Sequence, residues 1–127
     1  MFKKILFPIN QSKEPLEVIH NTIEITRMNN IHLIVLSIIE PKHYEMNPIK
    51  TLEIFLEQAK KIAENFDMTY ELIKRDGNPE LVICNEAEKL NVDVIVIGTR
   101  GINLEANSQS TASKVLEFSN RPVLVVP

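Results

Sequence analysis

Two of the chain's three glycines stand at the end of its most β-prone run, Val92-Asp93-Val94-Ile95-Val96-Ile97-Gly98-Thr99-Arg100-Gly101. A β-branched run of this length, broken once by Asp93, predicts a strand covered on both faces, as in a parallel sheet flanked by helices. In such sheets ligands settle beyond the carboxyl ends of the strands, and glycines there let backbone N–H groups approach a phosphate. Gly98 and Gly101 therefore point to phosphate or nucleotide binding, which needs no bond making. A tight strand-to-loop turn uses the same residues, so the pair alone leaves both readings open. Arg100, between them, suits either a phosphate contact or a surface pair with Glu105.

Other chemistry-bearing residues resolve into structural roles. Ser12 reads as a helix cap, since no His and acid are placed around it in a recognisable nucleophile motif. His20, His32 and His43 lack ligand spacing, so neither a metal site nor a catalytic residue is expected. Cys84 falls in helical spacing with Ile83, Ala87 and Leu90 and reads as a small core residue rather than a reactive thiol. Asn10 and Gln11 follow an apolar segment and serve equally as turn residues or as crevice contacts.

The composition narrows the class. A chain of 127 residues with 44% hydrophobic content is expected to fold as a single domain over 1–127. Its 14 Lys+Arg and 17 Asp+Glu leave a formal charge of -3, spread along the chain, with no basic patch for nucleic acid or an anionic membrane. Cys84 is alone, which excludes an intrachain disulfide and a cysteine-based metal cage. Ile5-Leu6-Phe7 meets Pro8 too soon for a signal segment. The apolar stretch Ile31–Ile39 is too short for a bilayer, which takes about 20 residues. A cytoplasmic location is expected.

The glycine loop is positioned by an alternation of strands and helices, which predicts an α/β fold with one parallel sheet. Lys4–Ile9 reads as the first strand. Ser12 caps a helix with Pro15 in its first turn and Leu16, Ile19 and Ile23 on its buried side. Ile31–Ile39 is a central strand, and 40–47 is a loop. Pro48 opens a second helix with the apolar stripe Leu52, Phe55, Leu56, Ala59, Ile62, Ala63 and Phe66. Tyr70–Lys74 alternates as a partly exposed strand. Asp76-Gly77-Asn78-Pro79-Glu80 sets a turn glycine, an asparagine cap, a first-turn proline and a first-turn acid before a third helix ending near Leu90. A strand from Val92, a helix over 110–118 and a strand over 122–126 complete the chain.

These segments resemble the universal stress protein family over nearly the whole chain. The likeness rests on Lys4-Ile5-Leu6-Phe7-Pro8-Ile9-Asn10, Gly77-Asn78-Pro79, Val94-Ile95-Val96-Ile97-Gly98-Thr99-Arg100-Gly101 and Arg121-Pro122-Val123-Leu124-Val125-Val126. It implies a three-layer α/β/α doubly wound sheet of five parallel strands in order 3-2-1-4-5, Rossmann-like and of the adenine nucleotide alpha hydrolase-like type. It also implies a non-enzymatic regulatory module with an adenine-nucleotide pocket. The positions carried over to that pocket are Pro8, Asn10, Ile38, Ile97, Gly98, Arg100, Gly101, Gln109, Ser110 and Thr111.

The chain departs from the family's Gly-x2-Gly-x9-Gly-Ser/Thr pattern. Gln109 stands where the third glycine belongs, the loop is two residues shorter, and Asn10 replaces the family's Asp. Gln at a crowded or left-handed position costs about 1 kcal/mol or more. The expected ligand is therefore ATP or AMP held weakly, with no cofactor required. The expected partner is a second copy of the chain, paired through the edge strand Val123–Val126. A receiver-like domain would need an acidic pair where Asn10-Gln11 stands, and a phosphoryl-transfer enzyme would need a Gly-x4-Gly-Lys loop or metal-binding acids. Flavodoxin-like electron transfer is compatible with the element order alone.

Overall fold

The β-branched runs form five parallel strands, β1 (Lys4–Ile9), β2 (Ile31–Ile39), β3 (Met68–Asp76), β4 (Val94–Gly98) and β5 (Val123–Val126). Their order is β3-β2-β1-β4-β5, as the family resemblance implies. The computed structural model describes residues 3–9, 21, 24, 30–39, 57, 61, 68–98 and 111–126. Two helices are described in full, α1 (Pro79–Lys89) and α2 (Thr111–Phe118). Of the helices expected after Ser12 and Pro48, Asn21, Glu24, Glu57 and Lys61 are described, each in helical conformation. The remainder of both helices, and the loop 40–47, lie outside the described residues.

In a parallel sheet, residues paired across neighbouring strands point to the same face. The registers Leu6↔Ile34, Leu6↔Ile95 and Pro8↔Leu36 therefore put Leu6, Pro8, Ile34, Leu36, Ile38, Ile95 and Ile97 on one face. All of these except Pro8 belong to a core cluster with Ile83 and Ala87 of α1 and Ala112 and Val115 of α2. On the opposite face Phe7, Leu33, Val35, Val94 and Val96 are buried as well. The sheet is thus the middle of three layers, which is why its central strands read as continuous apolar runs.

The lower end, where the strands begin, is tied by polar contacts. Asp93 Oδ2 accepts from the backbone N–H groups of Lys3 (2.9 Å) and Lys4 (2.8 Å), and Asp93 N donates to Lys4 O at 2.8 Å. Val92 N meanwhile donates to Ala87 O at 3.2 Å. The Asp93 carboxylate thus takes the Lys4 N–H that a backbone carbonyl of the ladder would otherwise take, and β4 begins at Val94 rather than at Val92. Lys4 Nζ donates to Leu90 O at 2.8 Å, satisfying a carbonyl at the end of α1. The Arg121 guanidinium joins Asn91 Oδ1 (2.8 Å), Val92 O (3.4 Å) and Glu88 Oε2 (3.3 Å), fixing the entry to β5 against the end of α1. Pro122 serves that entry as an acceptor, taking Ile95 N at 2.9 Å, and β5 starts one residue later.

β3 extends beyond Tyr70–Lys74 at both ends because every residue from Met68 to Asp76 is in register with β2, from Ile31↔Met68 to Ile39↔Asp76. Gly77 follows at φ +139°, a conformation that L side chains rarely adopt, and a Cβ there would stand 3.2 Å from Val82 Cγ2. Asn78 then caps α1, its side chain accepting from Leu81 N at 3.4 Å, with Pro79 in the first turn.

Among the described residues Glu86 of α1 is the buried charged one. Arg75 Nε of β3 donates to its Oε1 at 2.7 Å, while Oε2 is buried without a hydrogen-bond partner. A half-satisfied buried carboxylate adds little stability, yet stripping away its cation leaves a buried charge unpaired. Arg75→Met is therefore expected to destabilise by about 2–4 kcal/mol, and Glu86→Met by less. The double variant should lie close to wild type, which urea unfolding of the four proteins measures.

Asp93 supplies a second test. Backbone hydrogen bonds from Lys4 and then Lys3 outweigh desolvation and hold its carboxyl below the usual carboxylate value. A folded-state pKa below the unfolded one contributes stability that is present above the unfolded value and lost as pH falls through the folded one. Asp93→Ala is accordingly expected to lower the urea midpoint at pH 7 and to converge on wild type in strong acid. A gap that is unchanged from pH 7 to strong acid would show that the charge has no part in the tie.

Candidate crevice at the switch point between β1 and β4

β1 leads to β2 on one side, and β4 leads to β5 on the other, so the winding reverses between β1 and β4. Ligands of open α/β sheets bind at such a reversal, outside the carboxyl ends of the strands. The backbone geometry shows what opens the gap. Backbone groups of successive strand residues point alternately to the two neighbours. In β1, Lys3 O accepts from His32 N on the β2 side, and Lys4 O accepts from Asp93 N on the β4 side. Even-numbered residues therefore face β4, and the next even residue beyond Leu6 is Pro8, which has no N–H to give. The β1–β4 register ends at Leu6↔Ile95, while the β1–β2 register continues through Pro8↔Leu36 to Ile9↔Ser37. Pro8 releases β1 from β4 on the site side alone.

Three of the pocket positions carried over from the resemblance come together here. Pro8, Ile38 and Ile97 share the sheet face covered by α1 and α2, on β1, β2 and β4. Pro8 is half-buried, whereas Ile38 and Ile97 are 3% and 8% exposed and belong to the core. Ile38 and Ile97 are thus core side chains, covered by the packing of the helices on this face. Gly98 is half-buried at the end of β4, in register with Val126 of β5. Thr111 is half-buried at the first position of α2. Asn10, Arg100, Gly101, Gln109 and Ser110 lie outside the described residues.

Helices α1 and α2 differ in what they offer an anion. The first turn of α1 carries Glu80, a negative charge on its own N-terminal N–H groups, whereas the first turn of α2 has no acidic residue. The two helices are joined above the core by an ion pair, Lys114 Nζ to Glu80 Oε1 at 3.1 Å. Burial pushes the Glu80 carboxyl up, but its own backbone N–H, the Lys114 ammonium and the Asn78 side chain together hold it below the usual value. The pair separates its partners by 34 positions in sequence, so neither residue stands out in a linear reading.

His32 and Cys84 have structural settings. His32 bridges Thr69 Oγ1 (2.7 Å from Nδ1) and Glu71 Oε1 (3.2 Å from Nε2) on β3, near the strand starts and away from the crevice. Cys84 is half-buried against the core, and burial, followed by the Glu80 charge, pushes its thiol up, away from the reactive thiolate. Among the described residues no group of three or more His, Cys, Asp or Glu could hold a metal ion.

A doubly wound five-stranded parallel sheet with its reversal between β1 and β4 defines a Rossmann-like class of fold. A family model for the universal stress protein family matches residues 1–127, and the chain belongs to that family. It is 31% identical to Universal stress protein Sll1654 of Synechocystis sp. over 136 residues, covering 100% of this chain and 87% of that protein. Among solved structures, a universal stress protein in complex with cAMP superposes with a TM-score of 0.76 at 19% identity, covering 98% of this chain and 96% of that one. A universal stress protein from Archaeoglobus fulgidus in complex with dAMP gives a TM-score of 0.70 at 20% identity, with 99% and 98% covered. Among the described residues, no helix is long and apolar enough to cross a membrane.

Proposed function

We propose that this chain is a single-domain, non-enzymatic stress-response module of the cytoplasm whose crevice takes an adenine nucleoside monophosphate weakly and ATP more weakly still. The observation that carries this reading is the parting of β1 from β4 at Pro8, which opens the switch point beside the acid-free first turn of α2. That turn suits a single phosphate group. The dAMP and cAMP complexes of the structural relatives add support, since each ligand carries one phosphate. In the proposed pocket Pro8, Ile38 and Ile97 form the floor, Asn10 contacts the base or ribose, and Gly98, Arg100, Gly101, Ser110 and Thr111 approach the phosphate. Gln109, in place of glycine, narrows the path that further phosphates would need.

Titration calorimetry tests this directly. AMP is expected to bind measurably and ATP more weakly, and Gly101→Val should abolish AMP binding while leaving the circular dichroism spectrum intact. A sub-micromolar dissociation constant for ATP would overturn the reading.

We also propose a homodimer through β5. The two sheet edges differ in their protection. Edge strand β3 exposes Glu71, Lys74, Arg75 and Asp76, charges that discourage strand pairing, whereas Val123, Leu124 and Val125 of β5 are half-buried and uncharged. A two-fold pairing of β5 with its copy covers that edge. Light scattering should give twice the 14.5 kDa of one chain, and Val125→Lys should return the mass to that of a monomer. A wild-type monomer at high concentration would rule out the dimer, and an unchanged dimer in Val125→Lys would place its interface elsewhere.

A further inference from the structure

We propose that Glu80 sets the phosphate selectivity of the crevice by holding Lys114 away from it, so that a monophosphate is favoured over a triphosphate. The inference rests on the reading of the crevice as a nucleotide site. Lys114 is the one Lys or Arg of α2 and stands one turn beyond Thr111. Helical side chains lean toward the N-terminus of their helix, so the Lys114 stem is directed toward the turn that the phosphate would approach. Its ammonium is instead 3.1 Å from Glu80 Oε1, in the first turn of the neighbouring helix. The Glu80 carboxylate is 15% exposed and further held by its own backbone N–H and by Asn78, whereas the Lys114 side chain is 37% exposed and retains freedom to move.

The consequence is electrostatic. A lysine beside polyphosphate acts as a point charge whose effect grows with the number of phosphates. With Lys114 paired to Glu80, the first turn of α2 presents backbone N–H groups and no free ammonium of its own helix, which is sufficient for one phosphate. Removing the Glu80 charge frees the ammonium to swing toward the ligand, which favours ATP only where Lys114 is present.

Calorimetry of AMP and ATP against wild type, Glu80→Gln, Lys114→Ala and the double variant tests this. Glu80→Gln is expected to raise the ATP-to-AMP affinity ratio roughly fivefold or more. The double variant should return to the wild-type ratio, and Lys114→Ala alone should leave that ratio unchanged. An unchanged ratio in Glu80→Gln, with AMP still bound by wild type, overturns the inference and leaves the crevice reading intact. A gain that persists in the double variant overturns it in favour of simple charge repulsion. A selective loss of ATP affinity in Lys114→Ala overturns it by showing that the lysine already reaches the phosphates. Failure of all four proteins to bind either nucleotide overturns both the inference and the reading on which it rests.

Discussion

Even-numbered residues of β1 direct their backbone groups toward β4, and at Pro8 that ladder has no donor to continue with. Proline is uncommon inside a central strand because it removes a ladder bond. Here the lost bond falls on the side where the winding reverses, so it separates two strands that topology has already brought together without companions above them. Had the proline stood one residue earlier or later, its missing N–H would have faced β2, whose pairing with β1 extends through Ile9↔Ser37. The parting of β1 from β4 therefore follows from the position of one residue within a strand whose order in the sheet is fixed by the crossovers.

The opposite end of the sheet is closed by the reverse strategy. Asp93 ties the start of β4 to the start of β1, Lys4 reaches the last turn of α1, and Arg121 ties that turn to the entry of β5. Each bond joins segments distant in sequence where the apolar core gives out. Closure at the strand starts holds β1 and β4 in register below, so their separation at Pro8 is a local opening and does not propagate through the sheet.

The sequence conveyed most of the framework because the strong local signals agreed with the tertiary result. The spans of β1 and β2 match the apolar runs, and Gly77-Asn78-Pro79 marks the start of α1 through a positive φ, a side-chain cap and a first-turn proline. Boundaries moved where a side chain competed with the ladder, as Asp93 does at the start of β4, or where edge pairing carried polar residues along, as in β3. Pro8, Ile38 and Ile97 were placed together through the family resemblance, but the backbone role of Pro8 depends on which neighbour its missing N–H faces, and a linear pattern does not contain that information. Glu80 with Lys114 and Arg75 with Glu86 are likewise contacts between elements, invisible until the elements are packed.

Those two ion pairs meet different physical demands. Glu86 is 9% exposed with one oxygen unpaired, so its pairing with Arg75 must offset most of a desolvation penalty before it contributes any stability. Glu80 keeps several hydrogen-bond donors around a carboxylate near the surface, and its partner Lys114 is more exposed than it is. Water screens the Lys114 half of this pair, and Glu80, though largely covered, keeps its own backbone N–H and Asn78 as further donors. Arg75 has no such substitute at Glu86, where the unpaired oxygen is already out of reach of solvent. The first pair can therefore part with Glu80 still hydrogen-bonded, whereas parting the second strips the cation from a buried carboxylate that already has one oxygen unpaired, and so costs more.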